Sequence, residues 1–272
     1  MVADLKLDSI KVRPGRAPGL AERDARSRVG LTGKTDAATL QLELLGRLQT
    51  LQNRLWAEQR RSLLLVLQGM DASGKDGTIR AVFSGINPQG CRVTSFKAPE
   101  GKEAGHDYLW RVHEVCPARG EIGIFNRSHY EDVLAVRVRD LVPESVWRVR
   151  YRHIREFERM LVHEGTTVVK IFLHISFDEQ RERLQARIDD PEKRWKFRMA
   201  DLDDRAHWDA YRKAYEEAIT ETSTAWAPWY VVPADRKWVR NVAVSQLLVD
   251  VLEAMAPRIP EPEQGIGDVV VA

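Results

Sequence analysis

Leucines at positions 40, 44, 48, 51 and 55 recur three or four residues apart with mostly polar residues between them. That spacing predicts a helix with one apolar stripe, ending near Arg60 and packed on the core. The pattern then changes. Leu63-Leu64-Leu65-Val66-Leu67 is an unbroken apolar run, as expected of a strand covered on both faces in a parallel sheet, and it leads into Gly69. Further strands are predicted over 92–96, 122–125, 168–175 and 229–232. Helical patterns lie between and after them, at 76–84, 108–115, 146–164, 177–188, 206–222 and 239–255. Strand and helix in alternation predict a doubly wound α/β layer sandwich, a parallel sheet between helices. No internal repeat and no linker-like shift in composition interrupts it, so residues 36–257 read as one domain. A Pro/Gly/Arg-rich lead (1–35) precedes it and a Pro-rich tail (258–272) follows.

Composition changes this picture little. A chain of 272 residues that is 43% hydrophobic can bury a substantial core. The net charge is +2 although 30% of residues are charged, so a polyanion would have to be met by a local basic patch. Cys91 and Cys116 have no metal spacing and are expected to be reduced thiols. The seven histidines show no H-x-x-x-H or H-x-H spacing, which argues against structural zinc. Residues 1–16 lack the apolar core of a signal peptide or anchor, and no later stretch approaches the roughly 20 apolar residues of a spanning helix. A cytoplasmic protein is expected.

The chemistry begins where the first strand ends. Gly69-Met70-Asp71-Ala72-Ser73-Gly74-Lys75 satisfies G-x-x-x-x-G-K between a buried strand and a predicted helix, the context a phosphate loop needs. Glycines there let backbone N–H groups turn toward phosphate oxygens, the helix start adds a partial positive charge, and Lys75 adds a full one. A second G-K-T ending, at Gly33-Lys34-Thr35, has only two residues between its glycines and no strand before it. It is expected to be a loop ahead of the leucine-stripe helix, with Thr35 or Asp36 as N-cap. The loop at 69–75 also departs from the general pattern, because Asp76 stands where Ser or Thr would supply a magnesium-binding hydroxyl. Asp71 is the candidate substitute ligand; the alternative is that it only accepts loop N–H bonds.

A second polar set, Asn126-Arg127-Ser128-His129-Tyr130-Glu131-Asp132, follows the strand predicted at 122–125, and strand carboxyl ends are where such sheets place ligands. Four segments now occur in order: residues 69–77, Thr94-Ser95-Phe96-Lys97-Ala98-Pro99, Phe125 to Asp132, and Trp229-Tyr230-Val231-Val232-Pro233-Ala234-Asp235-Arg236-Lys237. Together they resemble the polyphosphate kinase 2 family, and the resemblance runs from about Lys11 to Met255. It implies a P-loop kinase fold like that of thymidylate kinase, with a helical lid at about 178–208. It also implies magnesium-dependent transfer, with Mn2+ as an alternative ion, between inorganic polyphosphate and nucleotides such as AMP, ADP and ATP. Asn126, where many members carry Asp, looks together with Glu131 like the subgroup called class III, whose members phosphorylate nucleoside monophosphates as well as diphosphates.

On that resemblance Asp71, Lys75 and Arg127 are the catalytic candidates, with Asp71 the metal ligand. Gly69, Ala72, Ser73, Gly74, Lys75, Asp76 and Gly77 form the phosphate loop. Lys97, Asn126, Arg127, Glu131 and Arg137 face the nucleotide. In the lid, Arg183, Arg187, Arg194, Lys196 and Arg198 are the polyphosphate candidates. Arg183 and Arg187 share a helix face at i and i+4, so they can grip one anionic chain, or else form a solvated face paired with Glu179 and Glu182. Tryptophans 195, 208, 226, 229 and 238 suggest base stacking or, more simply, core and lid packing. A homo-oligomer is expected, without nucleic-acid or membrane partners. Two rival functions stay open: an ATP-dependent nucleotide or small-molecule kinase on the same fold, and a noncatalytic polyanion-binding module.

Overall fold

A computed structural model describes residues 5–266 and residue 269. Residues 1–4 of the lead, and 267, 268 and 270–272 of the tail, lie outside the described residues. In chain order the elements are α1 (Lys34–Glu58), β1 (Ser62–Gln68), α2 (Lys75–Val82), β2 (Cys91–Ser95), α3 (Trp110–Glu114), β3 (Ile122–Asn126) and α4 (Ala135–Val138). There follow α5 (Glu144–His163), β4 (Thr166–His174), α6 (Phe177–Asp189), α7 (Ala200–Ala206), α8 (Trp208–Thr222), β5 (Trp229–Pro233) and α9 (Lys237–Met255).

The five strands form one parallel sheet in the order β2-β3-β1-β4-β5. β1 is central, and all seven of its residues are buried, which is why its sequence shows no alternation. After β1 the chain winds to one edge of the sheet; after β3 it returns to the other side. The crevice at the strand carboxyl ends near that reversal is where such folds bind ligands. The register sets Leu67 beside Asn126, so the loop after β1 and the polar set after β3 start side by side. Helices α1, α2 and α9 pack together, as do α4, α5 and α8, and the sheet lies between the two layers.

Three details differ from the sequence expectations. α1 starts at Lys34 with Gly33 as its N-cap, earlier than a Thr35 or Asp36 cap allows, because Ala37 N–H already bonds the Gly33 carbonyl. The helix expected over 206–222 is α8, which starts at Trp208, and a further short helix that the sequence pattern did not announce, α7, precedes it across a break at His207. The lead is bound to the sheet: Ile10, Val12, Leu20, Val29 and Leu31 are buried, and Lys11 bridges antiparallel to Tyr230 on β5.

The core also contains ions. Lys170 of β4 and Glu158 of α5 are fully buried and paired, and Lys170 also donates to Tyr130 Oη (3.1 Å) and the Thr222 carbonyl (2.7 Å). Burial works against the Glu158 charge, yet Lys170 and His129 hold the carboxyl below its usual range. Tyr130 and His129 belong to the polar set after β3, so this network anchors that segment from beneath.

Candidate active site

The chain leaves β1 through Gly69 (φ 152°), Ala72 (φ 61°) and Gly74 (φ 99°), three residues with positive φ within six positions. A side chain at Gly69 would meet Ser73 Oγ at 2.7 Å and the Leu173 carbonyl at 2.8 Å, so only glycine fits. Ala72 adopts the left-handed conformation without being glycine, a strain the surroundings must hold. Beyond it, the N–H groups of Gly74, Lys75, Asp76 and Gly77 donate to no protein acceptor among the described residues. They are the open donors of the α2 start, which favours anions.

Lys75 Nζ folds back to donate to the carbonyls of Gly69 (2.7 Å) and Met70 (3.3 Å). Burial and the neighbouring Arg127 push its ammonium down to about 8. Arg127, at the end of β3, has φ 62° and donates its N–H to the Leu67 carbonyl at 3.0 Å. Its guanidinium donates to Asp71 Oδ1 at 2.6 Å and lies 3.9 Å from Glu131. Burial works against both charges, but Glu131 and Asp71 keep Arg127 firmly protonated, and Arg127 and Lys75 hold the Asp71 carboxyl below its usual range. Asn126 Nδ2 donates to Asp76 Oδ1 at 2.7 Å.

Several expected site residues therefore converge: Asp71, Lys75, Asp76, Asn126, Arg127 and Glu131. Lys97 is exposed just past β2, one residue beyond Phe96, whose N–H donates to the Asn126 carbonyl. Arg137 is engaged by Glu217 (2.6 Å) and stacked over Trp147. Arg187 pairs with Asp201 at 3.5 Å. Arg194, Lys196 and Arg198 lie between α6 and α7 without a carboxylate partner among the described residues, next to Trp195, which is 76% exposed. Arg183 is different. All five of its donors are used by the protein, on Glu179 and on the carbonyls of Ala72, Ser73, Ala234 and Asp235. It is not free to grip a polyphosphate chain as the helix spacing suggested.

Residues 32–260 match the family model described as Polyphosphate kinase 2. The chain belongs to the polyphosphate kinase 2 family. It is 56% identical to the AMP/ADP-polyphosphate phosphotransferase of Meiothermus ruber over 262 residues, 96% of this chain and 98% of that one. It is 51% identical to the ADP-polyphosphate phosphotransferase of Rhodopseudomonas palustris, over 79% of this chain and 78% of that one. Its fold superposes on the crystal structure of polyphosphate kinase 2 from Arthrobacter aurescens TC1 with a TM-score of 0.94 at 42% identity, covering 98% and 96% of the two chains.

Kinases of nucleotides use a divalent cation to neutralise phosphate charge. Among the described residues no group of three His, Cys, Asp or Glu could cage a metal ion. Magnesium is nevertheless commonly held by one or two carboxylates, with phosphates and water completing the shell. In this polyphosphate kinase 2 family member the ionised Asp71 fits that requirement, with the Asp204 carboxyl of α7 close enough to influence its charge. Asp204 is a site residue the sequence reading missed, inside an acidic stretch that carries no apolar periodicity. Arg240, 3% exposed on α9 against Gly74 and Gly77, was missed too. Its signal was an arginine next to Val239 at the start of a mostly apolar stretch, Val239 to Leu252, whose one other charged residue is Asp250.

Proposed function

We propose that the chain moves phosphoryl groups reversibly between inorganic polyphosphate and adenosine nucleotides, with AMP and ADP as acceptors and magnesium as the cation. The observation that carries this reading is the end-to-end likeness to the Meiothermus ruber AMP/ADP-polyphosphate phosphotransferase. The site is equipped accordingly. It offers donors and cations for phosphates, and phosphoryl transfer needs positioning and electrostatics rather than a covalent intermediate.

In this mechanism the N–H groups of residues 74–77 and Lys75 hold the end of the polyphosphate. A terminal phosphate oxygen of the nucleotide attacks the end phosphorus in line, the bridging P–O bond breaks, and the shortened chain leaves with that electron pair. Arg127 meets the charge that builds on the transferring group, and Asp71 orients the attacking oxygen. When bound, magnesium supplies further charge neutralisation; Asp71 would hold it, with Asp204 beside it. Lys97, Asn126, Glu131 and Arg137 take the nucleotide, Arg137 exchanging its bond with Glu217 for a phosphate. Arg187, Arg194, Lys196 and Arg198 form the polyphosphate side of a lid at 178–208 over a domain spanning 36–257. Asn126 with Glu131 supports acceptance of monophosphates. The proposal includes a homo-oligomer in the cytoplasm without nucleic-acid or membrane partners, which sedimentation and cell fractionation test. Among the described residues no helix is long and apolar enough to cross a membrane.

The deciding experiment incubates the purified protein with magnesium, polyphosphate and AMP or ADP and separates the nucleotides. ADP and ATP appear if the reading holds. Phosphorylation only with ATP as donor favours the ATP-dependent kinase, and salt-sensitive polyanion binding without turnover favours a binding module.

A further inference from the structure

The guanidinium of Arg183 joins three separate segments. Nε donates to Glu179 Oε1 at 2.8 Å, one helical turn back. Nη1 donates to the carbonyls of Ala72 and Ser73, both at 2.9 Å, inside the phosphate loop. Nη2 donates to the carbonyls of Ala234 (2.6 Å) and Asp235 (3.1 Å), between β5 and α9. A guanidinium has five N–H donors in a fixed plane, and every one is used. No donor remains for an anionic chain.

The effect on the loop follows from peptide geometry. In a planar trans peptide the C=O and the next N–H point in opposite directions. Fixing the Ser73 carbonyl on Arg183 therefore aims the Gly74 N–H at the opposite face, where it and the next three N–H groups have no protein acceptor among the described residues. Fixing the Ala72 carbonyl also holds the one non-glycine residue of the loop that sits at positive φ, 61°. Behind Gly74 the space is filled by Arg240, whose Nη1 a side chain there would strike.

We infer that Arg183 is a positioning residue that locks the phosphate loop with its N–H groups outward, ready for anions, and is not a polyphosphate ligand. The role in catalysis rests on the phosphotransferase reading; the lock itself does not. Two variants test it. Arg183→Lys keeps the charge but has three donors on a tetrahedral ammonium, too few and wrongly shaped for five acceptors. Hydrogen exchange measured residue by residue on the free protein is expected to quicken by about 10-fold or more at the bonded loop amides, Ser73 (to the Met70 carbonyl) and Thr78 (to the Gly74 carbonyl), with β1 unchanged. The kcat is expected to fall on the order of 10- to 100-fold with either nucleotide, while the salt dependence of KM for polyphosphate stays as in the unmodified protein. Wild-type exchange in the loop, with a raised and salt-flattened KM for polyphosphate, would overturn the proposal and restore Arg183 as a ligand.

If the lysine variant does not unfold cooperatively, Glu179→Ala decides. It frees Nε and should quicken loop exchange about 3-fold; exchange unchanged there also overturns the proposal. Because exchange needs no turnover, it separates failure of the lock from failure of the phosphotransferase reading, which the assay on the unmodified protein decides.

Discussion

Burial pushes the Lys75 ammonium down to about 8, so in the free protein the charge that faces the phosphates is partly lost in mildly alkaline solution. KM for polyphosphate should therefore rise as pH increases through 8. The sign for stability is opposite. A lysine whose folded pKa lies below its unfolded value of about 10.4 binds fewer protons when folded, so its contribution improves with pH between the two values. Relative to Lys75→Met, the unmodified protein should gain stability from pH 8 to 10.5, read by denaturant titration at several pH values, while the variant loses on the order of 100-fold or more in turnover. A flat difference in stability would count against the shifted pKa. Asn126 makes a second case. Asn126→Asp would set a carboxylate against Asp76, to which Asn126 now donates at 2.7 Å, and two such groups share a proton at a raised pKa. The ratio of AMP to ADP phosphorylation should change by about 3-fold or more and drift back as pH falls and a donor is restored. An unchanged ratio at every pH removes Asn126 from the choice of acceptor.

At the level of elements, the strands were legible because apolar runs and flanking turns are local signals, and the phosphate loop because strand, glycines and lysine are contiguous. α7 was not legible. Its sequence, Ala200 to Ala206, has no apolar stripe; it is held by Arg139 to Asp204 and Arg187 to Asp201, contacts with distant segments. Arg183 shows the same limit: its i, i+4 spacing to Arg187 was visible, but its backbone partners in two loops were not. For the lid this narrows the prediction. Replacing Arg194 and Arg198 with Gln should raise KM for polyphosphate several-fold and flatten its salt dependence, with less effect on the nucleotides. Equal weakening for both substrates would remove the lid from the polyphosphate site. Between α5 and β4, Glu158→Ala leaves Lys170 buried without its counter-ion, which should destabilise the fold by about 3–5 kcal/mol by denaturant titration. A loss under about 1 kcal/mol would mean the ammonium simply deprotonates.

On the scale of the whole molecule, the family match begins at residue 32, yet residues before it complete the sheet. Ile10 and Val12 flank the bridge to Tyr230, with Val12 N–H donating to the Trp229 carbonyl (2.9 Å) and Val231 N–H to that of Ile10 (2.8 Å). A fragment trimmed to 32–260 would leave β5 as a bare edge, with unpaired backbone donors and acceptors beside the apolar row Trp229-Tyr230-Val231-Val232. Such an edge is a template for strand addition by another molecule. The trimmed chain should therefore appear as soluble aggregates in size-exclusion chromatography where the full chain elutes as one species, and charged replacements on β5 should not be needed to keep the full chain in solution. On that account the lead shields the β5 edge from edge-to-edge aggregation, which is distinct from the ordered homo-oligomer proposed above and independent of any substrate.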